Sequence, residues 1–549
     1  MNATAAACRD FQALEFEYRA TADQYAAPPA VHDVVVVGAG PVGLALAIDL
    51  AQRGIRVLVL DDDDRLSSGS RAICFSKRTL EIFDRLGCGE RMVEKGVSWS
   101  VGKVFFRNAQ LYGFDLLPEV GHCRPAFVNL QQYYVEGFLL ERALELPNIE
   151  IRWKNKVVAL DPADESVLLG IDTPDGRYRL NAGHVLACDG SRSAVRALMG
   201  LESKGRVFQD RFLIADIRTA AELLPHGATE RWFWFDPPFH PNQSVLLHRQ
   251  PDNVWRVDFQ LGWQADPVEE RKPENIIPRV RALLAASPAK DVEFTLEWAS
   301  VYTFACMRME KFRHGRVLFA GDCAHGVSPF GARGANSGVQ DAENLAWKLA
   351  LVVRNEAPET LLDSYAVERE FAADENIRAS TRATDFITPK SEASRLFRDA
   401  VLGLAREHPF ARRIVNSGRL SVPATLHESA LNTPDTDSFD GAMVPGAVAA
   451  DAPLRRQGTP TWLLHELGPD FTLLAFGKEA PPWAASLPLR VLCIGADGLD
   501  DGDGTATRRY HGKPGTAYLL RPDQHICARW RAPSEAGVRS ALARATGRE

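Results

Sequence analysis

The chain is 549 residues long, enough for two or three domains with sizeable cores. Its composition is ordinary, 46% hydrophobic and 25% charged, and 64 basic against 71 acidic residues leave a net charge of −7, which excludes a dedicated binder of DNA or RNA. Nine scattered cysteines without a CxxC pair exclude a disulfide framework and a zinc site, and they fit a reducing, cytoplasmic setting. The N-terminal stretch carries Arg9, Asp10, Glu15, Glu17 and Arg19 and no apolar core, so it is not a signal peptide. The longest apolar stretch, Val34 to Ile48, is broken by glycines and Pro41 and is short for a membrane span.

In chain order, residues 1–31 read as a polar arm ending at Pro28-Pro29. The run VVVV (34–37), a glycine turn, the apolar-periodic ALAIDLAQRG and VLVL (57–60) then predict strand, helix and strand, a parallel βαβ unit. In that turn Gly38 permits the tight bend, Gly40 lets the backbone approach a pyrophosphate, and Gly43 lets helix and strand pack closely. Asp61 stands at the end of the second strand, placed to accept from a ribose hydroxyl. This pattern implies an ADP-containing dinucleotide, NAD(P) or FAD. Residues 206–299 change character, with RWFWF (231–235), SVLLHRQ (244–250) and VWRVDFQL (254–261) as strands and P-D-N (251–253) as a hairpin turn.

The stretch RVLFAGDCAHGVSPFGARGANSG (316–338) leaves an apolar strand through Gly321-Asp322 and then spends four more glycines before helical periodicity resumes. Ser337-Gly-Val-Gln340 reads as a capping box, so the helix is expected to start there, with residues 339, 342, 346, 349, 350 and 353 as one buried stripe. Its N-terminus would point at Gly334, Ala335 and Asn336, and a positive helix end suits the negative charge of a reduced flavin. Helical periodicity persists to about residue 415. The tract from Asn432 to Pro453 reads as a linker, and FTLLAF, LRVLCI and AYLLRPDQHICARW as strands of a small last domain.

The stretch GDCAHGVSPFGARGANSGVQDAENLAWKL resembles the GD motif of the group A FAD-dependent aromatic hydroxylases, the para-hydroxybenzoate hydroxylase family. HVLACDGSRSAVRALMG (184–200), with Asp189, Gly190 and Arg196, is similar to their third motif, and the order of the three motifs matches over roughly residues 32 to 360. The long C-terminal extension resembles the branch of 3-(3-hydroxyphenyl)propionate, phenol and polyketide hydroxylases. The resemblance implies an α/β protein with a Rossmann-like FAD-binding domain (32–205 and 300–415), an inserted β-sheet substrate domain (206–299), a linker (416–450) and a C-terminal thioredoxin-like domain (451–549). Lacking CxxC, that last domain is expected to pack or to dimerise rather than to do redox chemistry.

Carried over from the family, Gly38, Gly40, Gly43 and Asp61 would hold the ADP half of FAD, with Val157 beside the adenine. Arg71 would reach the cofactor, and Gln132, with Gln131 as a rival, would face the pyrophosphate or ribityl side. Asp189 would serve both flavin binding and nicotinamide access, Asp322 would take the ribityl chain, Pro329 would sit in the loop over the ring, and Gly334, Ala335 and Asn336 would line the pyrimidine edge.

The family's reaction would follow: NADPH or NADH reduces FAD, O₂ adds to give a flavin hydroperoxide, and a phenolic ring is hydroxylated. Trp232, Trp234, Phe235, Trp255 and Phe259 make the 206–299 segment aromatic enough to cover that ring. His248 and Tyr302 are the candidate base or hydroxyl relay, Arg249 or Arg256 the candidate partner of a substrate carboxylate, and His325 a brace for its loop. No metal site is expected. The alternatives are an FAD-dependent dehydrogenase or oxidase and a flavin halogenase of the same fold; for the latter, RWFWFDPP keeps both tryptophans but has Arg231 and Asp236 where that group has Gly and Ile. A homodimer acting on a small phenol is the expected assembly.

Overall fold

The computed structural model describes residues 11–67, 69, 72–225, 228–287, 290–415, 421–477, 479, 481–495 and 499–549. Val34–Val37 and Val57–Leu60 are apolar at every position and buried at every position, as strands covered by helices on both faces must be. They sit in a parallel sheet whose strands run in the spatial order Val317–Phe319, Gly176–Ala187, Ala30–Val37, Val57–Leu60 and Ile149–Arg152. Antiparallel strands Lys156–Pro162 and Val167–Thr173 extend it beside Gly176–Ala187. The N-terminal arm is less polar in effect than its sequence suggests. Phe11 is buried edge-on to Tyr134 and Phe138, and Phe16 stacks on Trp153, so the arm from Phe11 onward is fastened to this half.

A second sheet of eight strands lies against the first half. Its order is His325–Gly326, Thr295–Met309, Ser203–Arg218, Val254–Gly262, Ser244–Arg249, Arg231–Phe235, Val101–Phe106 and Ala109–Asp115. The hairpin at 251–253 is present, with Asp252 and Asn253 at φ 63 and 58, the left-handed pair that a two-residue turn requires. Two strands arrive from much earlier in the chain, because Val101–Phe106 pairs in parallel with Arg231–Phe235. Side chains alternate across this sheet. Leu213, Ala215, Val245, Leu247, Val257 and Phe259 meet Val280 and Leu283 of helix Pro273–Ala285 on the outer face, while the alternate residues turn inward to the first half.

The helix after the GD loop spans Gly334–Val353 and starts one turn earlier than the capping-box pattern indicates. Ser337 lies inside it and accepts from Asn376 Nδ2 (3.1 Å) instead of capping. The single buried stripe is also corrected. Asp341, Glu343, Asn344 and Lys348 are buried with the apolar positions, because His325 of the GD loop, Arg78 of helix Lys77–Leu86, Glu368 of helix Leu361–Ile387 and Asp523 of the C-terminal domain supply their polar partners. In the C-terminal domain the sheet order is Arg490–Ile494, Thr472–Phe476, Ala517–Leu520, Ile526–Trp530, the first pair parallel and the others antiparallel, closed by helix Glu535–Ala545. The described part of the tract before it is pinned along this domain, through Thr433 N to Cys527 O and the Arg529–Asp435 pair.

Candidate functional site

The motif loops leave the carboxyl ends of neighbouring parallel strands, at Val37, Leu60, Ala187 and Phe319, where open α/β sheets place their ligands. Gly38 has φ +106, and a Cβ there would sit 2.5 Å from Cys188 O. A Cβ on Gly43 would meet Gly38 O at 1.9 Å, so both glycines are required by the packing of the turn itself. At Gly40 a Cβ would meet nothing within 4 Å. Gly40 therefore opens onto free space at the start of helix Pro41–Gln52, the cradle a pyrophosphate needs. Asp61 accepts from Ala39 N (2.5 Å) and Asp63 N (2.9 Å), and burial pushes its carboxyl above the ordinary range. Asn155 N donates to Asp61 O, which brings the strand of Val157 alongside.

The other end of the site is joined to this one by close backbone approach. Val42, in the first turn of its helix, lies against both Gly321 and Gly338, where a Cβ would meet its Cγ2 at 3.0 and 2.6 Å. Gly338 was not singled out in the sequence, since nothing local marks a glycine needed by a distant helix. Asp322 is exposed rather than built into the core, and a Cβ on Gly334 would be 3.8 Å from its Oδ1. His325 braces the loop as expected: its Nε2 is 2.6 Å from Asp341 Oδ2, which also accepts from Gly321 N, and Asp341 Oδ1 accepts from Arg369. Pro329 is exposed at the loop tip, where Gly331 and Ala332 both have positive φ. Helix geometry leaves the N–H groups of Gly334, Ala335 and Asn336 without intrahelical acceptors. The Asn336 side chain is already engaged, accepting from Ser76 N (2.8 Å) and donating to Cys74 O (2.8 Å).

Asp189 accepts from Val195 N through Oδ2, while Oδ1 is buried without a partner, and burial raises its pKa. Arg196 ties this loop to the GD loop, donating to Cys323 O at 2.7 Å. Gln132 accepts from Ala72 N (3.2 Å) and donates to Ser67 and Glu136, whereas Gln131 donates to Pro251 O, so Gln132 is the glutamine that meets Ser67 and Ala72. Glu136, which the sequence did not flag, grips Ser67 through both N–H and hydroxyl. Arg71 lies outside the described residues.

On the inner face of the eight-stranded sheet, His248 is buried with Nε2 3.1 Å from Asp258 Oδ2, and burial together with Arg231 pushes its pKa down to about 4. Tyr302 shares the face, stacked on Phe304, but two strands separate it from His248, so the two do not form one relay. Arg256 is committed to Asp216 by two hydrogen bonds of 2.7 Å, and Arg249 donates to Glu222. Neither stands as an anion receptor. Of the five aromatic residues expected to cover the ring, Trp232, Trp234, Trp255 and Phe259 point instead into the outer core, and Phe235 packs with Val104, Tyr112 and Phe386. Among the described residues, no group of three or more His, Cys, Asp or Glu could hold a metal, and no helix is long and apolar enough to cross a membrane.

An open glycine cradle at one helix start, an orphaned carboxylate oxygen at Asp189 and a second helix start held beside them fit a long dinucleotide, and together with the fold they mark a dinucleotide-binding protein. The FAD binding domain family matches residues 31–380, and the chain belongs to that family. It is 30% identical over 405 residues, 73% of this chain and 70% of the relative, to the 3-(3-hydroxy-phenyl)propionate/3-hydroxycinnamic acid hydroxylase of Mycolicibacterium smegmatis. It is also 30% identical to the 12-dehydrotetracycline 5-monooxygenase/anhydrotetracycline 6-monooxygenase of Streptomyces rimosus, over 92% of this chain and 96% of that one. In fold it is similar to the flavin-dependent monooxygenase PieE, with a TM-score of 0.79, 21% identity and coverage of 94% of this chain and 99% of that one. The chain is an FAD-dependent monooxygenase of the aromatic hydroxylase class, and FAD is its cofactor.

Proposed function

We propose that the chain hydroxylates a phenolic aromatic compound with NAD(P)H and O₂, the substrate lying between the inner face of the eight-stranded sheet and loop 329–333. The observation that carries this is the loop's double anchorage. Phe330 packs with Phe212, Phe304 and Leu246, while Ala332 packs with Cys74, Trp99 and Phe127, so the loop spans two aromatic clusters directly before the helix start of Gly334. Bound FAD supplies hydride acceptance and oxygen activation. The chain's part is to bind, orient and exclude water.

In this reading the ADP half lies on Gly38, Gly40 and Gly43, with Asp61 accepting from the ribose and Val157 beside the adenine. Arg71 and Gln132 reach the pyrophosphate side, and Asp189 and Asp322 the ribityl side. The flavin's pyrimidine edge meets the N–H groups of Gly334, Ala335 and Asn336, and Pro329 covers the ring. His248, neutral at pH 7, and Tyr302 contribute hydrogen bonds rather than a strong base. The relative from Mycolicibacterium smegmatis is named for a hydroxyphenylpropionate and a hydroxycinnamic acid, which makes small phenols of that kind the first compounds to try.

A cytoplasmic homodimer belongs to the same proposal. What supports it is exposed apolar surface: Leu396, Phe397, Leu404 and Phe410 are exposed on helices Glu392–Ala405 and Pro409–Val415, whereas no described large apolar residue of 451–549 is. The contact is therefore proposed on 392–415. Incubation with ¹⁸O₂, NAD(P)H and a phenol panel tests the activity, a product carrying one ¹⁸O atom being expected. NAD(P)H consumption that yields only peroxide would favour a dehydrogenase or oxidase, and a halogenated product in chloride or bromide would favour a halogenase.

A further inference from the structure

Arg231 opens strand Arg231–Phe235 and is only 4% exposed, yet no described carboxylate pairs with it. Its one hydrogen bond runs from Nη1 to Cys74 Sγ at 3.8 Å, and Nε is buried without an acceptor. The guanidinium lies 5.7 Å from the Trp99 ring centroid and 4.9 Å from that of Phe233. Arg256, Arg369 and Arg521, buried as deeply, each hold a carboxylate. A buried cation with no counter-ion in hydrogen-bond contact is costly, so its retention calls for a partner that arrives from outside the chain.

The surroundings say where that partner would sit. Trp99 belongs to the apolar cluster that receives Ala332, and Phe233 packs with the cluster that receives Phe330, so Arg231 is wedged between the two clusters that loop 329–333 closes. Cys74, its thiol neighbour, is held through its carbonyl by Asn336 at the start of helix Gly334–Val353. On the other side of the same thiol stands His248, with Nδ1 at 4.0 Å. Asp258 spends Oδ2 on His248 and acts on Arg231 only through space. With His248 kept neutral, the cluster offers no base suited to deprotonating a phenol, and a cation that stabilises the resulting anion does the same work from the other side of the equilibrium.

We propose that the unpaired Nε edge of Arg231 anchors an oxyanion of the aromatic substrate, a phenolate oxygen or a side-chain carboxylate, presented between Trp99 and Phe233. This rests on the reading that the inner sheet face holds the substrate. Two independent measurements test it on the full-length, FAD-loaded chain. In the first, dissociation constants are read from the perturbation of flavin absorbance by 3-phenylpropionate (carboxylate only), 4-nitrophenolate at pH 8 (phenolate only) and their neutral counterparts, 3-phenylpropionate methyl ester and 4-nitroanisole. Arg231→Gln is expected to weaken at least one anion by about 10- to 100-fold, the value of a charge-assisted hydrogen bond, with the neutral compounds within about twofold and Arg231→Lys in between. The anion that loses affinity identifies the source of the charge. Wild-type binding of the neutral compounds only, binding of neither anion, or an unchanged preference in Arg231→Gln overturns the proposal. In the second, Arg231→Met removes a buried charge that no carboxylate of the described chain contacts, Asp258 acting only through space, so its melting temperature should rise by about 2 °C or more. A fall would assign Arg231 to the scaffold and overturn the proposal. Absence of oxygen transfer in the wild type would instead strike the hydroxylase reading, and it leaves the anion preference measurable.

Discussion

Two clusters of buried charge stand in this molecule, and they are finished differently. Where the C-terminal domain meets the first half, Arg521 donates to both Glu368 oxygens (2.6 and 3.0 Å) and to Asp523. Glu368 also accepts from Lys348 and Asn344, and Asp523 from the Trp347 indole. No side-chain nitrogen or oxygen of these residues is left buried without a partner. On the inner face of the eight-stranded sheet, Arg231 Nε, Asp258 Oδ1 and Gln250 Oε1 are all buried and unpartnered. Both clusters cost desolvation, but only the first recovers it within the chain. The difference separates charge that fixes a domain interface from charge held ready for a ligand.

The comparison predicts opposite responses to mutation. The largest effect is expected at the saturated cluster, where Glu368→Ala leaves Lys348 buried without its counter-ion and Arg521 with Asp523 alone, a loss of about 3–5 kcal/mol. Chemical unfolding of the variant should show it, along with early release of the C-terminal domain to limited proteolysis. An unchanged unfolding curve would mean that the interface is held by its apolar contacts alone.

At the unsaturated cluster the expected signature is a pH dependence. His248 has its pKa lowered from 6.5 to about 4, so below pH 6.5 the unfolded chain takes up a proton that the folded chain refuses. Stability is therefore lost as pH falls from about 6.5 to about 4, up to roughly 3 kcal/mol from this residue. In His248→Asn that share of the acid sensitivity should vanish. Parallel curves for wild type and variant between pH 7 and pH 4.5 would show that the imidazole is not held neutral.

How far the sequence announced these regions follows from the kind of signal each leaves. Gly38, Gly40, Gly43 and Asp61 are legible because a dinucleotide turn needs its glycines and its acid at fixed spacing along one short segment. The GD loop is legible for the same reason, except for its helix. Ser337 and Gln340 satisfy a capping pattern that the structure does not use, since Asn336 is drawn into Cys74 and Ser76 and the helix begins at Gly334. Arg231 sits in an alternating strand like any surface arginine, and only the tertiary neighbours Cys74 and Trp99, more than a hundred residues earlier, reveal its burial. Trp232, Trp234, Trp255 and Phe259 face away from the cofactor half, and sequence periodicity does not show this because it reveals that two faces exist and not which one meets that half.

A smaller effect is expected at Asp322. Its carboxylate is exposed at the end of Val317–Phe319 beside Gly334, so Asp322→Ala leaves no buried hole and should not alter the melting of the cofactor-free chain. FAD retention should weaken by about 1–3 kcal/mol, the value of one acceptor lost from the sugar chain. The recovery of flavin fluorescence on dilution measures it, and undiminished retention would remove Asp322 from the cofactor site.

The smallest effect in free energy concerns control of the electrons, and it depends on loop 329–333. In the proposed reading the glycine turn at 38–43 takes FAD, and the sequence GADGLDDGDG (495–504) does not repeat its glycine spacing, so NAD(P)H would have to meet the flavin across an open surface. Ungated, that meeting would waste reductant and release peroxide. The loop joins two aromatic clusters through Phe330 and Ala332, and a substrate wedged between them has to separate one from the other. It therefore binds one loop position better than another, which is the condition for shifting a population. A tenfold stimulation of reduction requires only about 1.4 kcal/mol of differential affinity. Stopped-flow reduction by NAD(P)H should thus be at least about tenfold faster with the hydroxylated phenol bound than without it. Phe330→Ala, which loosens one anchor, should raise the unstimulated rate and shrink the ratio. Equal rates with and without the phenol would show that the loop is no gate, and the two aromatic clusters would then be packing alone.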